Sequence, residues 1–86
     1  MSDAGLGARV DDLFRRHAAR MLAGLVHTLG PARLELCEDA VQDALLQALK
    51  RWRFHGVPDE PEAWLSRVAR NAALDKYRLW RKRQGV

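Results

Sequence analysis

The sequence contains few cysteines and prolines and no long apolar run. Of its 86 residues one is cysteine and three are proline. A single cysteine, Cys37, excludes an internal disulfide and is typical of proteins kept in a reducing compartment. We find no apolar run long enough to cross a bilayer, no signal-peptide pattern and no lipidation motif. We therefore expect a soluble cytoplasmic protein that does not bind a membrane.

The sequence also lacks the residue patterns of known catalytic sites. Its histidines, His17, His27 and His55, are spread over three segments, and none has a second ligand at metal-site spacing. Cys37 lies on an apolar stripe, where cysteine is usually a small core residue rather than a nucleophile. There is no glycine-rich phosphate loop and no serine-centred elbow. We expect no enzyme activity, no catalytic residues, no metal and no cofactor.

No stretch alternates apolar and polar residues as a strand does, and the apolar residues recur instead at helical spacing. Three such segments predict helices over about residues 12–29, 35–52 and 61–83. The length supports one domain with a single modest core. We predict an all-α fold, a compact three-helix bundle, in which Pro31 to Leu36 forms either an extra short helical turn or a linker. Residues 1–9 are predicted to be disordered.

The ends of the helices are marked by capping residues. Asp11 and Asp12 are candidate N-caps of the first helix. Gly30 followed by Pro31 ends it, because proline cannot continue the hydrogen-bond ladder. Residues 53–60 have no usable period and are predicted to be a loop. Either acid at its end, Asp59 or Glu60, can cap the third helix.

The positive charge is concentrated in the third helix. From Trp64 to Arg83 there are seven Lys or Arg and one acid, Asp75, although the whole chain carries only +4. Such a local field favours a polyanion, most simply nucleic acid. A solvated basic face and adsorption to a membrane surface are the alternatives, and the second conflicts with the need for the apolar face in the core. Base stacking could use Phe54, Trp64, Tyr77 or Trp80.

An acidic cluster, residues 38–43, lies on the second helix. Acids near the start of a helix interact favourably with its dipole, so the cluster is explained either as a solvated face or as a docking edge for a basic partner. In the second interpretation Leu46 would be an exposed apolar anchor. The residues alone leave both explanations open.

Two motifs resemble a known family. Residues 38–52, EDAVQDALLQALKRW, and residues 63–75, AWLSRVARNAALD, are separated by a short loop and followed by an arginine-rich tail. This arrangement resembles region 2 of bacterial extracytoplasmic-function (ECF, group 4) sigma factors of RNA polymerase. The resemblance covers about residues 10–83. It favours the docking interpretation of the acidic cluster.

The resemblance implies a site for each partner. Three residues match family positions that bind the coiled coil of the RNA polymerase β′ subunit, and with Leu46 they form our polymerase-binding set: Asp39, Gln42, Asp43 and Leu46. The loop after the second helix matches the segment that receives a base flipped from the non-template strand of the minus-ten element. With the basic face of the third helix it gives our DNA-binding set: Phe54, His55, Arg67, Arg70, Asn71, Lys76 and Arg78.

The chain departs from the family pattern at two positions, Asp43 and Leu65. Asp43 replaces the usual glutamate, which shortens the acidic arm. Trp64 matches one of the tryptophan pair that primary sigma factors use in strand separation, but Leu65 stands in place of the second.

The resemblance predicts a transcription initiation domain that docks on core polymerase and recognises and helps melt the minus-ten element. An anti-sigma factor is a further candidate partner. Residues 84–86 would begin the linker to a C-terminal helix-turn-helix domain. The alternative is a helical protein-interaction module, for example one that binds an anti-sigma factor, without autonomous DNA binding.

Overall fold

The computed structural model describes residues 3–85 and shows a bundle of three α-helices. They are α1 (Asp3–Leu29), α2 (Leu34–His55) and α3 (Pro61–Arg83), with one turn of 3-10 helix over Pro31–Arg33. No strand occurs between residues 3 and 85. α2 is the central helix, since it packs extensively against both α1 and α3, which touch each other less. The predicted all-α three-helix bundle is confirmed.

The first helix begins much earlier than predicted, at Asp3 rather than near Asp12. The helix therefore covers residues 3–9 of the segment for which disorder was predicted, while Met1 and Ser2 lie outside the described residues. Val10 is fully buried in the core, which gives this end of the helix an anchor that the sequence reasoning missed.

Asp11 and Asp12 are consequently not N-caps. Both lie inside α1 and reach the arginines one turn later, Asp11 to Arg15 at 3.1 Å and Asp12 to Arg16 at 2.7 Å. Pairs at this spacing stabilise an exposed helix by a few tenths of a kcal/mol, roughly 0.2–0.5 each. These acids therefore support the helix along its side instead of closing its end.

The second helix ends later than predicted. α2 continues to His55, so Arg53, Phe54 and His55 belong to the helix, and the connecting segment is only residues 56–60. Gly56 directly follows the helix with a positive φ of 80°, and its N–H donates to the Trp52 carbonyl at 2.9 Å. Nothing in residues 53–55 breaks a helix, and the glycine sets the end.

The third helix has the predicted bounds, with Pro61 in its first turn. Glu60 is at the N-cap position, as predicted, but its side chain makes no capping hydrogen bond. The predicted capping by this carboxylate is therefore wrong. Glutamate is not among the short polar residues that cap well, and proline has no N–H that requires a partner. A contact between helices lies close by, where His17 Nε2 is 3.0 Å from the Glu62 carboxylate.

The core positions of α2 and α3 are mostly small residues, and one large aromatic contact joins the two helices. Cys37, on the predicted stripe, is fully buried, and burial raises the pKa of its thiol. Trp52 is 4% exposed and meets the half-buried Trp64 edge to face, with ring centroids 5.2 Å apart. The other core members on α2 and α3 are Ala40, Val41, Ala44, Ala48, Leu65, Ala69 and Ala73.

The ambiguous segment after α1 is a tight turn that depends on one glycine. Gly30 has φ 96° and ψ 150°, and the Arg33 N–H then donates to the Gly30 carbonyl at 3.1 Å. This backbone region is open essentially to glycine alone. The turn leads directly into α2, so the option of an extra short helical turn is confirmed.

Replacing Gly30 with alanine is expected to lower the free energy of unfolding by about 1–3 kcal/mol, because alanine is strained at this backbone geometry. Gly24→Ala is the matched control, since Gly24 is helical and exposed and a Cβ there meets nothing within 4 Å. It should stabilise the domain by about 0.5–1 kcal/mol. Urea unfolding of both variants measures the difference, and equal effects of the two would contradict the role of Gly30.

Candidate docking and nucleic-acid surfaces

The predicted polymerase-binding residues lie mainly on the solvent side of α2. Asp39, Gln42 and Leu46 follow one another at steps of three and four residues and are all exposed. Residues at this spacing share one face of a helix. Leu46 is 54% exposed, so more than half of this apolar residue is open to solvent. We call Asp39, Gln42 and Leu46 the α2 outer face.

Asp43, the fourth predicted docking residue, is placed differently. Its carboxylate pairs with the Lys76 ammonium of α3 at 2.9 Å, and the two side chains are 42% and 35% exposed. Asp43 therefore lies at the boundary between α2 and α3, beside the α2 outer face. The pair joins a predicted polymerase-binding residue to a predicted DNA-binding residue.

The predicted DNA-binding residues on α3 form one exposed face, with one exception. Arg67, Arg70, Asn71 and Arg78 are all exposed. Asn71 and Arg78 are seven positions apart, which puts them on nearly the same side of α3. Lys76 follows Asn71 by five positions, about 140° round the helix, and points towards α2 instead. We call Arg67, Arg70, Asn71 and Arg78 the α3 basic face.

The α3 basic face borders two clefts. Arg67 and Asn71 line a cleft of about 480 Å³ between α2 and α3, whose walls also include Trp64 and Asp43. Arg70 lines a smaller cleft, about 240 Å³, against α1, and Arg20 lies in the same lining. The sequence grouped these arginines by spacing, and the structure shows that Arg67 borders the α2 side of the exposed face and Arg70 borders the α1 side.

An acid lies within reach of the α3 basic face. The Arg78 guanidinium is 3.3 Å from the Asp75 carboxylate, and both side chains are largely exposed. Exposed pairs of this kind contribute little, about 0–1 kcal/mol, and are screened by salt. Arg78 therefore remains able to exchange Asp75 for a phosphate.

Phe54 and His55 lie at the C-terminal end of α2, both exposed. Phe54 is 80% exposed, the largest value among the exposed large hydrophobic residues. The structure fixes these two side chains on a helix rather than in a flexible loop, and Trp64, near the start of α3, is half-buried. The residues that match the flipped-base segment are thus divided between the end of α2 and residues 56–60.

One constellation was missed by the sequence reasoning. The Arg33 guanidinium carbon lies 4.4 Å from the Trp80 ring centroid and 5.1 Å from that of Tyr77, and the two rings stack on each other at 5.8 Å. Arg33 lies in the segment whose structure was ambiguous, so its direction could not be inferred. The spacing of Tyr77 and Trp80, three residues apart on a helix, was the available signal.

The described residues contain no arrangement typical of a metal site or a membrane span. No group of three or more His, Cys, Asp or Glu within residues 3–85 could hold a metal ion. None of the helices in that range combines the length and the apolar character needed to cross a bilayer.

Comparison with known proteins identifies the domain type. The family model described as Sigma-70 region 2 matches residues 13–84. An uncharacterized protein from Rhizobium meliloti (strain 1021) is 49% identical over 45 residues, which are 52% of this chain and 11% of that protein. The chain thus spans about a tenth of the length of this relative. No solved structure matches.

Proposed function

Because the chain belongs to the sigma-70 region 2 family, a family of transcription initiation domains rather than enzymes, we propose that its two exposed faces bind two different partners. The α2 outer face docks on the β′ coiled coil of core RNA polymerase. The α3 basic face, with Phe54 at the end of α2, captures the non-template strand of the minus-ten element. The domain acts as an ECF-type sigma factor region, in which binding energy rather than chemistry opens the duplex.

The separation of the two faces is the observation that carries this proposal. An acidic and apolar row, Asp39 to Leu46, is exposed on α2, and a cationic row is exposed on the neighbouring helix. A partner with basic side chains fits the first row, and a phosphate backbone fits the second. Both rows lie on helices that share one core, so two partners can be held at a fixed separation.

The contacts proposed for DNA fall into three kinds. Arg67, Arg70 and Arg78 are exposed cations that neutralise phosphates, which gives affinity without sequence preference. Asn71 is the amide in the row and can read a base edge by paired hydrogen bonds. Phe54 offers an exposed aromatic face on which an unpaired base stacks. Capture of unstacked bases favours the open duplex, because the single strand then has partners that the paired strand lacks.

Two titrations of the 86-residue chain test the proposal. One uses core RNA polymerase, and the other uses a pool of random-sequence single-stranded DNA at two salt concentrations. We expect binding in both, with DNA affinity falling as salt rises. Binding to neither partner would overturn the proposal. Binding to polymerase without any DNA binding would favour a protein-interaction module.

Asn71 and Arg78 are expected to respond differently to alanine substitution. Arg78→Ala should weaken binding to all single strands and make the salt slope shallower by about 0.7, because one phosphate contact is lost. Asn71→Ala should leave that slope unchanged and broaden the sequences recovered from the bound pool, with a loss of about 1–3 kcal/mol on the preferred one. Identical changes in slope and in selected sequences would contradict this division.

A further inference from the structure

A cleft between α2 and α3, at the end of these helices opposite Phe54, is lined mostly by residues to which neither proposed surface assigns a role. It has a volume of about 690 Å³ and lies where the start of α2 meets the end of α3. Its walls are Ala32, Arg33, Glu35, Leu36, Asp39, Lys76, Leu79, Trp80 and Arg83. We propose that this cleft is a second part of the polymerase-docking surface, which receives an apolar side chain of the partner that contacts Asp39.

The apolar centre of the cleft is open to solvent. Leu79 and Trp80 both remain exposed although they are large hydrophobic residues. Leu36, on the facing helix, is half-buried in the same cleft. An apolar centre with a polar rim is the usual composition of a protein-binding patch, and tryptophan and arginine are the residues most enriched among its strong contacts.

The Trp80 ring is held in position before any partner binds. Arg33 lies 4.4 Å from its centroid, and Tyr77 stacks on it at an interplanar angle of 20°. The Arg33 guanidinium lies against both rings, although its Nε is buried and has no hydrogen-bond partner among the described residues. Ordered side chains lose less entropy on binding, which favours this tryptophan as an anchor.

The charges around the cleft favour a protein over a nucleic acid. Two carboxylates, Glu35 and Asp39, balance the charges of Arg33 and Arg83 in the lining, so these four residues offer no net positive charge to a phosphate backbone. Lys76, one of the three cations of the cleft, is already paired with Asp43 at 2.9 Å. A partner with a basic residue for the α2 wall and an apolar residue for the centre satisfies both features.

Asp39 connects this cleft to the α2 outer face, because it belongs to both. A partner that contacts Asp39 therefore stands at the mouth of the cleft, beside Leu79 and Trp80. This inference rests on the proposed docking of α2 on core polymerase. It adds residues of α3 and of the 3-10 turn to that interface.

The test compares Trp80→Ala and Leu79→Ser with the unchanged chain, with core RNA polymerase and the random single-stranded DNA pool as probes. We expect each substitution to weaken polymerase binding at least about tenfold and to leave single-strand affinity within about twofold. Thermal unfolding of both variants checks that the helices persist. Leu79 serves as the second variant because it is exposed and takes no part in the ring stack.

Leu46→Arg, on the α2 outer face, separates failure of this inference from failure of the proposed function. If Leu46→Arg weakens polymerase binding while neither cleft variant does, the docking proposal stands and the cleft inference is wrong. If the cleft variants reduce single-strand affinity instead, the cleft belongs to the nucleic-acid surface and the inference is overturned. If the unchanged chain does not bind polymerase, the docking part of the proposed function and the cleft inference both fall.

Discussion

Replacing Leu46 with arginine is expected to weaken binding to core RNA polymerase by about 30-fold or more, equivalent to roughly 2 kcal/mol. Leu46 is 54% exposed in the free domain and stands in the row formed with Asp39 and Gln42. In the complex it would be surrounded by partner atoms, and an arginine there would bury an unpaired charge against the basic partner. A polymerase titration measures the loss.

Leu34→Arg is the matched control for this prediction. Leu34 is 45% exposed, lies on the same helix and receives the same new charge, but it is about 120° round α2 from Leu46. We expect its polymerase affinity to change by less than about threefold, and neither variant to lose more than about 0.5 kcal/mol of stability. Equal loss of affinity in both variants would show that added charge, rather than position on the α2 outer face, weakens binding.

Replacing Trp52 with alanine is expected to remove about 3–5 kcal/mol from the free energy of unfolding. The ring is 4% exposed and meets Trp64 edge to face. The substitution therefore removes both buried apolar area and an aromatic pair, and leaves a cavity in the core. The total free energy of unfolding of a protein is only about 5–15 kcal/mol. A large fraction of the Trp52→Ala molecules should therefore be unfolded at moderate urea concentration.

Phe54→Ala provides the comparison for Trp52→Ala. It also truncates an aromatic residue of α2, two positions later, but the side chain is 80% exposed. We expect a change within about 0.5 kcal/mol. Urea unfolding measures the free energy of unfolding of both variants, and an unchanged m value shows that the difference is one of stability. A small effect of Trp52→Ala would mean that the α1, α2 and α3 contacts around it collapse to fill the space, and that the ring is not the main support of this end of the bundle.

The helices themselves could be predicted because their apolar period is long and regular. The stripe from Cys37 to Trp52 and the bounds of α3 are examples. The ends were less accurate, since Asp11 and Asp12 resemble caps in sequence but pair with arginines along the side of α1. A pairing four residues apart and a capping position use the same residue types, so composition alone does not separate them.

The candidate surfaces were predicted as sets of residues, but their neighbours were not. Lys76 was grouped with the arginines by its place in a basic segment, whereas the packing of α3 on α2 turns it towards Asp43. Arg33 had no assigned role because the direction of the turn at Gly30 depends on a backbone conformation that spacing does not encode. Both cases depend on how two helices meet, which a one-dimensional pattern does not contain.

The alanines of the core have a further consequence for how this domain can change. Ala40, Ala44 and Ala48 on α2 and Ala69 and Ala73 on α3 are at most 1% exposed. The methyl side chain of alanine has no alternative rotamer, so it cannot make room when a neighbouring residue is replaced by a larger one. Exposed positions of α2 and α3 can therefore diverge towards new promoters or new partners, while enlargement of any of these five residues would shift one helix against the other and alter both surfaces at once.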